Sequence, residues 1–474
     1  MTLTSSHEAP GDTSDNLGPE SHHTSRHAML YLYASHFLST WLSRGFEFGA
    51  VLFLARSYPG SLLELSLYAI FRALSAIVCA PIVAKYIDRG DRLMVIRQSI
   101  LWQRASVTAS CLFFWPLLHQ ASFSKWSPSW LLCGVILLAG VEKLASMACT
   151  ISVERDWVIV IANDDSTKLE TINSQMRRID LFCKLISPVA IALLEGASTK
   201  IAIIYIAGTN VIFAAIEYSL IKVTFQSFPR LADKVAVTDA SSSRPISDIA
   251  SHNHLGIAWF RSWYQSCKRN VVTYVSQDAF YPSLCLSALY LTSLSFGGQM
   301  VAFLLAMGFS GSLLALLRVG STICELSATW LAPWLMARVG VIRAGLWFLN
   351  GQVICLCMAI VPLWIAPTSF TALLLFVCGV ALSRVGLWGF DLSSQVFIQS
   401  HVHEADRAAF STTEWALQSI FELATFLITA ALPDVHQFKI SATISFCSVA
   451  IAASLYARFV YAERGHLFHG KKRI

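Results

Sequence analysis

The chain has 474 residues, 55% of them hydrophobic and only 14% charged, with a mean hydropathy of +0.57 and a formal net charge of +6. Soluble domains carry about a quarter charged residues, so this composition argues against a soluble protein and for a polytopic membrane protein. Its Lys and Arg residues are spread among the connections between apolar stretches, so no nucleic-acid-binding face is expected.

Residues 1–28 are polar and show no apolar stretch behind a basic start. They read as a disordered cytosolic tail with no cleavable signal. A hydrocarbon core about 30 Å thick needs about 20 apolar residues per helix, and roughly twelve stretches reach that length. The first set is Met29 to Ala55, Leu62 to Val83, Ile100 to Leu118, Trp130 to Val153, Leu181 to Ala197 and Ile201 to Ile221. The second is Ala279 to Met307, Ser312 to Ala337, Val341 to Ile365, Phe370 to Ser394, Ala408 to Leu432 and Ile440 to Tyr461. An all-α fold of two six-helix bundles follows, over residues 29–226 and 277–462, with a basic tail at 463–474. This is the layout of the major facilitator architecture, in which two halves rock about a central site.

Alternate connections carry the basic residues: Lys85, Arg89, Arg92 and Arg97, then Arg155, Lys168, Arg177 and Arg178, then Arg338 and Arg343, then Arg407. Lys and Arg favour the cytoplasmic side, so both termini are expected in the cytosol. Residues 227–276 form a cytosolic linker. Its first part, around Asp239 to Pro245, is flexible by composition. In its second part, Trp259, Phe260, Trp263 and Tyr264 interleave with Arg261, Lys268 and Arg269, which suggests an amphipathic helix in the headgroup region.

A polar seam interrupts the first bundle, with Glu154, Arg155, Asp156, Trp157, Asn163, Asp164, Asp165, Lys168, Asn173, Arg177, Arg178 and Asp180. Charges beside a membrane need partners or water. One reading is a gate in which Arg155, Asp156, Arg178 and Asp180 exchange ion pairs with one another or with Asp406 and Arg407 of the second half. The other is a set of helix caps and charge anchors. The turn Ala84 to Arg92 has the same two readings: Asp88 either pairs across helix ends and helps hold the gate, or lies in a solvated turn.

These residues carry a family resemblance. Leu32, Tyr33, Ser35, His36, Leu38, Ser39, Thr40, Trp41 and Arg44 in the first stretch resemble the ferroportin family, the iron exporters of solute carrier family 40. The seam from Glu154 through Asn173 to Asp180 matches that family's most recognisable segment. Ser383 to Leu392 and Glu404 to Arg407 match its tenth span and the turn that follows. The resemblance implies export of divalent metal, chiefly ferrous iron, from the cytosol by alternating access, with no cofactor beyond the transported ion. It leaves either the plasma membrane or a vacuolar or other organelle membrane open.

The resemblance also locates departures. Ser43 and Glu47 stand where animal members have an Asp and a His, and Gly298 and Thr425 stand where they have a Cys and a His. That Cys is where the peptide hepcidin engages animal members, so no hepcidin regulation is expected. Gln103, Asn210 and Glu217 match polar residues that hold calcium in the first half. If the faces converge, Ser43, Glu47, Gln103, Asn210 and Glu217 form an oxygen-rich metal site that suits hard cations. Glu47 could instead pair with Arg44, and Glu217 could be structural. Arg318 and Glu325 are expected to pair with each other, and Glu422 either replaces the lost His or only solvates the cavity.

Rival functions are a facilitator of manganese, cobalt, calcium or a non-metal solute, and a membrane receptor or enzyme. An intramembrane zinc protease is disfavoured, because the string from His403 ends in Arg407 where a second His is required.

Overall fold

The computed structural model describes residues 19–58, 63–118, 128–163, 165–233, 255–295, 298–309, 311–366, 369–432 and 437–464. Long helices fill the first half: α1 (Pro19–Ser57), α2 (Leu63–Arg89), α3 (Arg92–Leu118), α4 (Pro128–Ser152), α6 (Ser166–Ala197) and α7 (Thr199–Ser227). A π-helical turn, Val153–Trp157, joins α4 directly to the short α5 (Val158–Ala162). The linker contributes α8 (Leu255–Ser276). The second half holds α9 (Phe280–Ala288), α10 (Gly298–Ala306), α11 (Gly311–Val339), α12 (Val341–Ile365), α13 (Phe370–His401), α14 (Arg407–Ala431) and α15 (Phe438–Arg464). No strand occurs among the described residues.

Three boundaries differ from the sequence expectation. Helix α1 begins at Pro19, inside the stretch read as tail. The seam is helical, because the fourth span runs through Glu154–Trp157 and ends only where Asn163 takes a left-handed conformation, φ 57°. Asp165 then caps α6, its carboxylate accepting from the backbone N–H groups of Thr167 and Lys168. The seventh span, expected as one helix from Ala279 to Met307, is broken between α9 and α10. Side chains satisfy the freed backbone there: Ser293 N–H donates to Ser445 Oγ at 2.9 Å, and the Leu294 carbonyl accepts from Arg384. Irregular backbone at membrane depth is tolerated where protein covers it or it lines a cavity.

Packing divides the molecule in two. In the first half α1 lies against α6 and α7, and α3 against α4 and α7; in the second α13 lies between α11 and α12. The halves meet where α2 packs on α14, and α6 on α11 and α13. Gly386 of α13 permits close contact with α12, since a Cβ there would stand 2.6 Å from the Phe348 carbonyl oxygen. Helix α8 turns a stripe of Ser266, Asn270 and Tyr274 inward and packs mainly on α14.

Among the described residues, six helical stretches are long and apolar enough to cross a membrane: α2, α4 with its extension, α7, α12, α13 and α15. Twelve were expected from length. Helices α1, α3, α6, α11 and α14 are also long, and α1, α3, α6 and α14 carry charged or polar side chains that line the space between the halves.

Candidate transport cavity

A cavity of about 420 Å³ lies between the halves. Helix α1 lines it with His36, Ser43, Arg44 and Glu47, α3 with Gln103, and α7 with Glu217. From α4 and the π turn come Lys143, Glu154 and Arg155, from α6 Arg177, Asp180 and Lys184, and from the second half Tyr290, Trp388, Asp391 and Glu422. Four of the five expected metal-site residues therefore face one space. Asn210, two turns before Glu217 on α7, is buried, and its amide donates to the Ile206 carbonyl at 2.8 Å.

Arginines dominate the electrostatics of this space. Arg72 Nη2 lies 3.0 Å from both Glu47 and Glu142. Arg44 joins Glu47 at 3.3 Å to Asp180 at 2.8 Å. Arg104 reaches Glu217 at 3.0 Å, and both side chains are almost fully buried. Gln103 Nε2 bridges Ser43 at 3.0 Å and Glu142 at 3.1 Å, but its Oε1 has no hydrogen-bond partner, and neither has Asn210 Oδ1. Among the described residues no three His, Cys, Asp or Glu side chains converge as a metal-ligand group. Four of the expected site residues thus share a cavity wall, and the carboxylates of Glu47 and Glu217 are engaged by guanidiniums.

At the seam end the halves are tied together. Arg92 holds Asp156 at 2.7 Å and also pairs with Glu404, and Asp156 stands 3.6 Å from Arg407. Arg155 reaches the buried Glu414 at 3.3 Å, and Arg177 reaches Asp391 at 2.7 Å. Asn173 donates to Gln399, whose own amide donates to the Glu154 carbonyl at 2.6 Å. The π turn makes this possible, because its extra residue per turn rotates Arg155 and Asp156 toward the second half while Trp157 stays buried.

The expected gate partners are partly redistributed. Arg178 donates to Thr329 Oγ1 at 3.0 Å, with no carboxylate in that contact. Asp180 pairs inside its own half, with Arg44 and with Arg177 at 3.6 Å. Asp406 accepts from Gln277 at 2.9 Å. Asp88 is half-buried in the last turn of α2. Glu325 pairs with Lys184 of the other half at 3.5 Å and not with Arg318, which lies two turns away on α11, beyond the reach of i,i+4 neighbours.

A second cavity of about 540 Å³ continues from the first into the second half, along the break between α9 and α10. Thr425 and Glu422 line it, and Gly298 opens α10.

Two helical halves around a polar cavity, sealed at one end by cross-half ion pairs, define a multi-pass membrane transporter of major facilitator-like fold, not an enzyme. The Ferroportin1 (FPN1) family model matches residues 26–449, and the chain belongs to that family. It is similar to solute carrier family 40 member 1 of Oryza sativa subsp. japonica, 33% identical with 92% of each chain covered. It is also similar to human ferroportin, 25% identical with 93% of this chain and 92% of that one covered. Among solved structures it resembles a bacterial homologue of the iron transporter ferroportin in an outward-facing state with soaked iron, at 22% identity and a TM-score of 0.78, covering 91% of this chain and 99% of that one. The inward-facing structure of a bacterial homologue gives a TM-score of 0.62, at 22% identity over 92% and 98% of the two chains.

Proposed function

We propose that the protein exports a divalent metal ion, ferrous iron first, from the cytosol by alternating access, from the plasma membrane or an organelle membrane. The seam end then faces the cytosol, as do both termini. The observation that carries this reading is the set of cross-half pairs at the seam end, Asp156 with Arg407, Arg155 with Glu414 and Arg177 with Asp391, closing a polar cavity that extends away from them. Breaking these pairs as the halves rock would open the cavity to the cytosol. Asn173, through Gln399, and Arg178, through Thr329, serve the same closure across the halves, with Asp180 positioning Arg177 within its own half and Asp88 and Asp406 at the same end.

The proposed ion subsite is the wall formed by Ser43, Glu47, Gln103 and Glu217, with Asn210 buried behind it two turns before Glu217 on α7. Its support is the shared cavity wall of Ser43, Glu47, Gln103 and Glu217, together with two buried amide oxygens that have no hydrogen-bond partner, Gln103 Oε1 and Asn210 Oδ1. Hard cations favour such oxygen ligands. A metal entering there must draw Glu47 from Arg44 and Arg72, and Glu217 from Arg104. That competition supports a second reading, a facilitator of another divalent cation or of a non-metal solute.

The test is flux of radioactive iron, cobalt and manganese in proteoliposomes, for the wild type and for Glu47→Ala and Glu217→Ala. Flux that falls in both variants supports the site, whereas absence of metal flux, or flux indifferent to both changes, overturns it.

A further inference from the structure

A smaller pocket of about 220 Å³ lies where α6 faces α11 and α13; of its charged residues only Lys184 also lines the transport cavity. Its charged lining is Lys184, Arg318 and Arg384 against a single carboxylate, Glu325. Lys184 engages that carboxylate at 3.5 Å. Arg384 is only 7% exposed, yet its hydrogen bond goes to the main-chain carbonyl of Leu294, and no described carboxylate lies within ion-pair distance of it. The one carboxylate of this pocket, Glu325, acts on Arg384 only from beyond ion-pair distance and is already engaged by Lys184, so the buried guanidinium is under-neutralised, and an ionisable group at membrane depth is by default functional. Two guanidiniums in excess of the carboxylates call for an oxyanion from outside, since the planar fork matches carboxylate oxygens.

The pocket shares Lys184, Ser295 and Arg384 with the 540 Å³ cavity. That volume is in the range that encloses an organic molecule, far beyond what a single ion fills. Trp388 and Phe426 give it an apolar wall, so the occupant combines carbon with negative charge. We propose that Arg384, Arg318 and Lys184 form a binding site for a small organic polycarboxylate that enters from the second-half cavity.

The experiment uses the full chain in nanodiscs of zwitterionic lipid, in metal-depleted buffer, with citrate as the probe and thermal stability as the readout. Citrate raises the unfolding midpoint of the wild type, and the half-saturating concentration rises at least about tenfold in Arg384→Gln and in Arg318→Gln. Arg318 is exposed, so its variant remains informative if Arg384→Gln fails to fold. No citrate shift in the wild type, or equal shifts in wild type and variants, overturns the proposal. Stabilisation that requires phosphatidylglycerol in the nanodisc and is indifferent to citrate assigns the site to a lipid phosphate and also overturns it. No metal is present, so this result stands or falls apart from metal export.

Discussion

Asp156 of the first half stands 3.6 Å from Arg407 of the second, on a π-helical turn that interrupts the fourth span. Arg92, almost fully buried, fixes that turn from behind by holding Asp156 at 2.7 Å while pairing with Glu404 across the interface. Arg92 engages two acids, Asp156 closely and Glu404 across the interface, whereas Arg407 stands farther from Asp156, so losing Arg92 loosens the turn more than losing that Arg407 contact. Arg92→Ala is expected to speed amide hydrogen exchange across residues 153–163 markedly, and Arg407→Ala only slightly. Equal effects of the two changes would contradict the role of Arg92 as the hub.

The Arg104–Glu217 pair is the most buried ion pair of the first half, with side-chain exposures of 3% and 1%. Truncating one member leaves a charge with no partner, which costs about 3–5 kcal/mol in comparable sites. Arg104→Met should lower the unfolding midpoint sharply, and adding Glu217→Gln should recover much of it. A double variant as unstable as the single one would show that the pair is not what holds α3 to α7.

Arg72 fills the space between Glu47 and Glu142 with a tethered positive charge. Arg72→Gln leaves the Glu47 and Glu142 carboxylates around a gap suited to a hard cation. Manganese binding, followed by thermal shift, should tighten at least about tenfold relative to the wild type. Unchanged affinity would mean that Arg72 does not compete with the ion.

Packing between α12 and α13 gives a stability prediction independent of transport. Gly386→Ala places a methyl 2.6 Å from the Phe348 carbonyl oxygen and 2.9 Å from the Gln352 backbone nitrogen, which cannot move aside as a side chain can. Overpacking of this kind costs about 1–3 kcal/mol. Gly351→Ala, on α12 with open space around it, should be neutral or stabilising by about 0.5–1 kcal/mol from helix propensity. Calorimetry of the two purified variants distinguishes them.

The apolar stretches made the helical bundle and its two halves legible, because about 20 apolar residues in a row have few other uses. The seam was legible as charge out of place, and Asp156 with Arg407 was among its expected pairs. Its helical course was not, since nothing in Glu154–Trp157 distinguishes a π turn from a loop. Glu47 and Glu217 stood out as acids in grease, but their partners Arg72 and Arg104 lie on other helices, 25 and 113 residues away in sequence. Helical spacing finds neighbours on one helix and is silent about neighbours across two. That is also why Glu325 was assigned to Arg318 when the fold delivers Lys184. The break in the seventh span left only a weak trace, the small residues Ser293, Ser295, Gly297 and Gly298 within an apolar run.

The seal between the halves is tested most directly at Arg155 and Glu414, 3.3 Å apart, with Glu414 fully buried. Iron flux in proteoliposomes should fall strongly in Arg155→Glu and in Glu414→Arg, each of which sets like charges face to face, and should recover when the two changes are combined. Single variants that transport like the wild type, or a double variant no better than either single one, would contradict a gate built on this pair.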